Sequence, residues 1–195
     1  MTVTQRNDWR VVDIVVAAVI AVAFGVVFLA WNAIYAATEP LFVALPPAQA
    51  IMYGIWLLPG VLVGLIVRRP GAALFGGFVS AAVSVLLGSP FGIDALISGA
   101  IQGAGAELGF AIGLYRSWGL VFAVLAGVLS GLAAAIHDLV VYYPDFGLDL
   151  QLVYAGATAA SGALIAVVGG WLLLRALVAT GALQDFSVGR DQPEV

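Results

Sequence analysis

All seven basic residues of this 195-residue chain are arginines, and they stand in only four places: Arg6 and Arg10, Arg68 and Arg69, Arg116, and Arg175 with Arg190. Between these places lie six apolar stretches, roughly residues 11–35, 48–67, 71–87, 94–115, 118–142 and 150–178. Each is near the ~20 residues that a helix needs to cross a bilayer. Threaded six times through a membrane, the chain puts every arginine on one side. Glu39, Asp94, Asp145 and Asp149 fall on the other. Because arginine accumulates on the cytoplasmic side, the expectation is an all-α integral membrane protein. It has six transmembrane helices and cytoplasmic N- and C-termini.

Composition agrees. The chain is 63% hydrophobic and 9% charged, where soluble domains average about 25% charged. We expect one six-helix transmembrane domain, 1–195, with polar ends at 1–10 and 179–195, in the cell membrane as a multi-pass protein. The first apolar run is too long for a signal peptide, and no small-residue cleavage site precedes a polar mature chain. The formal charge of −4 says little about partners, since the charges are segregated by side. With no cysteine, neither a disulfide nor a thiolate metal site can form. With no lysine, the chain lacks the residue that a Walker A loop places on phosphates. Any ATP-driven step belongs to another polypeptide. No cofactor, metal or nucleic-acid partner is expected, and there is no strong internal repeat.

Polar residues inside the apolar runs carry the functional reading. Gln102 and Glu107 sit within the fourth run among Gly99, Gly103, Gly105 and Gly109. A carboxylate in hydrocarbon is costly and marks a functional site by default, and glycines allow close approach of a backbone or a ligand. The two are about 140° apart around an ideal helix, and Glu107 lies roughly 20 Å along the axis from Asp94. Trp31 and Tyr35 are four apart and share a face, with Asn32 beside them. Such a set can stack a flat heterocycle and hydrogen-bond its edge. Asp138 aligns with Gly131, Ala134 and Tyr142, while His137 points about 100° away. Tyr154 and Gln151 open the last run. Glu39 and Trp56 flank the proline-bearing loop LFVALPP, which suits a lid. The candidate substrate-binding residues are therefore Trp31, Asn32, Tyr35, Glu39, Trp56, Gln102, Glu107, His137, Asp138, Tyr142 and Tyr154. Ala17, Ala21 and Gly25 form a small-residue stripe of the kind that packs helices backbone to backbone. The stripe serves either this chain's own packing or docking to a second membrane protein.

Three segments, FGVVFLAWNAIY (24–35), the loop with Glu39 and Pro40, and ISGAIQGAGAELGFAIGLYR (97–116), give the chain a resemblance. It resembles the substrate-binding S component of an energy-coupling factor (ECF) vitamin transporter, of the YkoE-type thiamine or hydroxymethylpyrimidine branch, over roughly residues 9–177. The resemblance implies an EcfT-type transmembrane partner, two cytoplasmic ATPase subunits, and docking through Ala17 and Ala21 as an Ala-xxx-Ala motif that Gly25 extends. A thiamine-like ligand agrees with the residue types. Its cationic thiazolium suits aromatic faces and a carboxylate, and its aminopyrimidine edge suits a carboxylate or amide. With no arginine on the outer side, a phosphorylated form would be poorly held.

Two other classes compete. A secondary transporter or channel would commonly show inverted repeats or broken helices. An intramembrane enzyme would need a nucleophile near His137. Ser130 is two turns away on the same helix and carries no nucleophile-elbow motif. One histidine and no cysteine disfavour a hydrolytic metal site.

Overall fold

The computed structural model describes residues 8–190; Arg6 and the rest of 1–7 and 191–195 lie outside the described residues. Every regular element among the described residues is helical. The long helices are α1 (Val11–Thr38), α2 (Gly54–Val67), α3 (Ala72–Leu86), α4 (Asp94–Ile112) and α5 (Leu120–Val141). They are followed by α6 (Leu148–Ser161) and α7 (Val167–Ala179), joined through a π-helical turn at Gly162–Ala166, and by a short α8 (Ser187–Arg190). Five stretches are long and apolar enough to cross a membrane: Val11–Phe42, Pro46–Val67, Asp94–Ile112, Leu120–Val141 and Leu148–Ala179. The third expected span corresponds to α3, whose 15 residues cover only about 22 Å at 1.5 Å per residue.

The α1–α2 connection is not irregular. Glu39–Phe42 and Pro46–Tyr53 wind as 3-10 helices, and the second is unusually long for that geometry. Pro46 and Pro47 suit its first turn, where no N–H is needed. Trp31 Nε1 donates to Met52 O (3.2 Å), and Gln49 Nε2 donates to Tyr35 O (2.7 Å). These bonds tie the segment to α1 as a strap.

Helix α2 is apolar on every side and is buried from Leu57 to Val67, as a helix hydrophobic all round must be. It ends at Arg68, whose φ of 55° starts a tight turn completed by Gly71 at φ 86°. Helix α4 lies between α3 and α5 with almost no side chain intervening. A Cβ on Gly103 would stand 3.0 Å from the Leu74 backbone, and one on Gly77 would stand 2.9 Å from Gly99 O. Gly109 meets the Ala126 backbone in the same way. The glycines of the fourth run thus admit neighbouring backbones.

The stripe on α1 turns inward. Ala17, Ala21 and Gly25 are all buried, and a Cβ on Gly25 would meet Val83 Cβ at 2.5 Å and Ser80 O at 3.0 Å. Of the two roles open to the stripe, the isolated chain displays the first, its own packing. They are covered by the chain itself, and the residues α1 presents outward include Val15, Val19, Val22 and Val26.

At one end of the bundle the N-terminus, the α2–α3 turn and the C-terminal segment meet. Asp13, fully buried, pairs with Arg10 (2.7 Å) and lies 3.9 Å from Arg69. Trp9 Nε1 donates to Pro70 O (3.0 Å), Arg10 Nη1 to Asp185 O (3.1 Å), and Arg68 Nη1 to Ser187 Oγ (3.3 Å). The C-terminal segment, expected as a simple polar tail, instead buries Leu183 and Phe186 in the core. Its two apolar side chains return to the bundle while the intervening polar ones stay outside.

Candidate ligand-binding site

At the opposite end of the bundle from this arginine cluster, a cavity of about 130 Å³ opens between α1, α2, α3, α4, α5 and α6. Helix spacing builds its walls. Phe28, Asn32 and Tyr35 follow at intervals of four and three on α1. Asp94, Ser98 and Gln102 follow at intervals of four on α4, and Asp138 and Tyr142 do so at the end of α5; all line the cavity. Such intervals keep side chains on one helix face. The strap contributes Tyr53, α2 contributes Trp56, and α6 contributes Tyr154.

One wall is acidic and phenolic. His137 Nδ1 lies 2.8 Å from Asp138 Oδ1, and its Nε2 lies 3.2 Å from Asp94 Oδ1. Asp138 Oδ2 accepts from Tyr154 (2.6 Å) and from the Tyr53 phenol. The Tyr142 phenol donates to Asp94 Oδ2. Burial, and then the hydrogen bond to Asp94, pushes the Tyr142 phenol well up from its ordinary value, so it remains a donor. The wall thus presents two carboxyl groups held by phenols and an imidazole.

The facing wall is aromatic. Trp56 meets Tyr35, Tyr53 and Phe91 edge-on, with ring centroids 4.9, 5.1 and 6.2 Å apart. Phe91 arrives on the α3–α4 turn, between Gly88 at φ 94° and Gly92 at φ 58°. Trp56 Nε1 donates to Asn32 Oδ1 (3.1 Å). Deeper, Gln102 Nε2 donates to Ser98 Oγ (2.7 Å). No arginine is among the described lining residues.

Of the residues expected at the site, Asn32, Tyr35, Trp56, Gln102, Asp138, Tyr142 and Tyr154 line the cavity. His137 stands behind it, between the two aspartates. Three expected residues are elsewhere. Glu107 belongs to the arginine end, where its carboxylate accepts from the backbone N–H groups of Gly71 (2.6 Å) and Ala73 (2.9 Å). It satisfies the first turn of α3, whose donors have no partner within the helix. Trp31 is a tether for the strap, and Glu39 is exposed on it. Sequence reasoning missed Asp94 and Ser98, although their spacing to Gln102 signals a shared face. It also missed Tyr53, for which no periodic signal exists because the strap is not α-helical.

Ser130, the sequence's nearest hydroxyl to His137 along α5, donates to Gln102 O (2.8 Å). It fastens α5 to α4 and serves no imidazole. Among the described residues, no three His, Cys, Asp or Glu side chains are grouped to hold a metal ion.

Comparison with known proteins decides the family. Residues 12–133 match the model described as ABC-type cobalt transport system, permease component. The chain is 33% identical over 186 residues to YkoE of Bacillus subtilis (strain 168), whose name proposes an HMP/thiamine permease; the match covers 95% of this chain and 92% of that one. A crystal structure of an S-component of an ECF transporter superposes with a TM-score of 0.89 at 33% identity, covering 94% of this chain and 93% of the other. The chain belongs to the YkoE-type S components of ECF transporters. An S component is an integral, multi-pass membrane protein and the substrate-binding subunit of a transporter, not an enzyme. In this S component the cavity with acidic and aromatic walls is the candidate binding site.

Proposed function

We propose that this S component captures thiamine, or its hydroxymethylpyrimidine (HMP) precursor, from the outer side of the membrane. The observation that carries the reading is the cavity's composition: Asp94 and Asp138 on one wall, Trp56, Tyr35 and Phe91 on the other, and no arginine between them. Carboxylates attract a cationic ring or an exocyclic amine. Aromatic faces favour a flat cation. The absence of a basic group among the lining residues disfavours phosphate esters. The name of the Bacillus subtilis relative points to the same ligand class. The donor set favours an organic cargo over a bare metal ion, since no metal-holding cluster is formed among the described residues.

In this reading α3 counts as the third of six spans, and both termini face the cytoplasm. The arginine cluster at Arg10, Arg68 and Arg69 is then the cytoplasmic end, and the cavity opens outside. Transport is driven by two ATPase subunits acting through an EcfT-type membrane subunit, which meets an outward apolar face of the bundle.

The test is titration of the detergent-purified protein with thiamine and with HMP, read by quenching of its five tryptophans. Saturable quenching that is lost in Trp56→Ala and Asp138→Asn supports the site. Thiamine phosphate should bind at least about tenfold more weakly. No saturable response to either thiamine or HMP would sink the ligand assignment. Uptake into vesicles by this chain alone, driven by an ion gradient, would replace the ATP-driven mechanism with secondary transport.

A further inference from the structure

Asn32 is 6% exposed and lines the cavity, and its Nδ2 has no hydrogen-bond partner. Which end of the amide is which is fixed by chemistry. The Trp56 indole N–H can only donate, so the Asn32 atom 3.1 Å from it must be the oxygen. The NH2 group is therefore the end left over. Buried donors without partners are rare in native proteins and costly. The acidic wall gives no relief: the contacts of Asp94 and Asp138 are with His137, Tyr142, Tyr53 and Tyr154, and neither carboxyl group reaches the Asn32 amide.

We propose that Asn32 is the specificity-determining donor of the site, reading a hydrogen-bond acceptor on the edge of the ligand, and that Trp56 positions it by holding the amide in one orientation. This rests on the thiamine or HMP reading above and narrows it. The ligand must offer a ring nitrogen acceptor to α1 and a cation or amine to the acidic wall. An aminopyrimidine has both on one plane. Trp56 therefore acts twice, as an aromatic wall and as the group that prevents the amide from turning its oxygen to the ligand.

The experiment compares HMP with two analogues in which one or the other ring nitrogen is replaced by C–H, on the full-length protein in detergent, by calorimetry. One of the two analogues should bind about tenfold more weakly than HMP, the effect of one lost hydrogen bond to a buried donor. In Asn32→Ala that difference should vanish. In Trp56→Phe it should shrink, whatever happens to overall affinity, because the freed amide can offer either end. Equal binding of HMP and both analogues by the wild-type protein, whose fold is not in question, would overturn the assignment while leaving the ligand class intact. Full discrimination in Trp56→Phe would overturn the positioning role. No binding of thiamine or HMP at all would overturn the underlying reading and this one with it.

Discussion

Asp94 and Asp138 are joined through one imidazole, with His137 Nε2 3.2 Å from the first and Nδ1 2.8 Å from the second. The two carboxylates come from different helices and lie 44 positions apart in sequence. A single side chain therefore sets the spacing of the acidic wall. Asp138 is the more deeply committed partner, since Tyr53 and Tyr154 also donate to it.

Replacing Asp138 with Asn should weaken thiamine binding by roughly 10- to 100-fold, the range for losing charge-assisted hydrogen bonds. It should also lower thermal stability, because two buried phenols lose their carboxyl acceptor. Fluorescence titration and a thermal melt of the same sample measure both. Unchanged affinity would show that the acidic wall does not face the ligand.

Glu107→Gln should leave ligand affinity within about twofold and destabilise the protein by about 1–2 kcal/mol. The carboxylate lies against the first turn of α3, on the backbone N–H groups of Gly71 and Ala73, and takes no part in lining the cavity. A large loss of affinity without a loss of stability would contradict that placement.

The α1 stripe gives a packing prediction. Gly25→Leu forces a side chain into Val83 and the Ser80 carbonyl and should cost about 2 kcal/mol or more. The cost should appear in the isolated subunit, in a melt without any partner. A variant as stable as wild type would mean that α1 can separate from α3 at no cost.

Alkaline pH should loosen the arginine end. Burial, followed by its hydrogen bond to Glu107, raises the Tyr115 phenol to about 12 from an ordinary value near 10. Below about pH 10 the phenol is protonated in both the folded and the unfolded chain, and the contribution is intact. Between about 10 and 12 the unfolded chain loses the proton first, so stability falls as pH rises. The slope of melting temperature against pH in that window should be shallower in Tyr115→Phe.

Much of this was legible because membrane helices carry their meaning in intervals. The apolar runs announce the long helices, the four-residue spacing sets Asp138 and Tyr142 on one face, and polar side chains within apolar runs single out Asn32 and Gln102, which line the same cavity. Glu107, expected beside the ligand, lies instead at the arginine end. Sequence shows that a carboxylate lies within an apolar run, but its partners are backbone N–H groups 34 and 36 positions away, which no periodicity announces. The inward turn of Ala17, Ala21 and Gly25 is hidden in the same way: a small-residue stripe states that something packs closely, and only tertiary structure says what. Tyr53 enters the site on a 3-10 strap, where the α-helical interval does not apply.

The joining of three chain segments around Asp13 bears on how such a molecule can move. Arg10, Arg69 and the backbone at Asp185 tie the beginning, a middle turn and the end of the sequence into one knot. α4 is locked between its neighbours by backbone-to-backbone contact. Deformation is therefore unevenly distributed. In the proposed function, the strap and the Gly88–Gly92 turn, which border the cavity, are the parts that would have to give way to a ligand, while the base would resist shear and carry applied torque to the whole bundle. A force delivered from the arginine end would turn the subunit as a single lever, with the cargo travelling at its far tip.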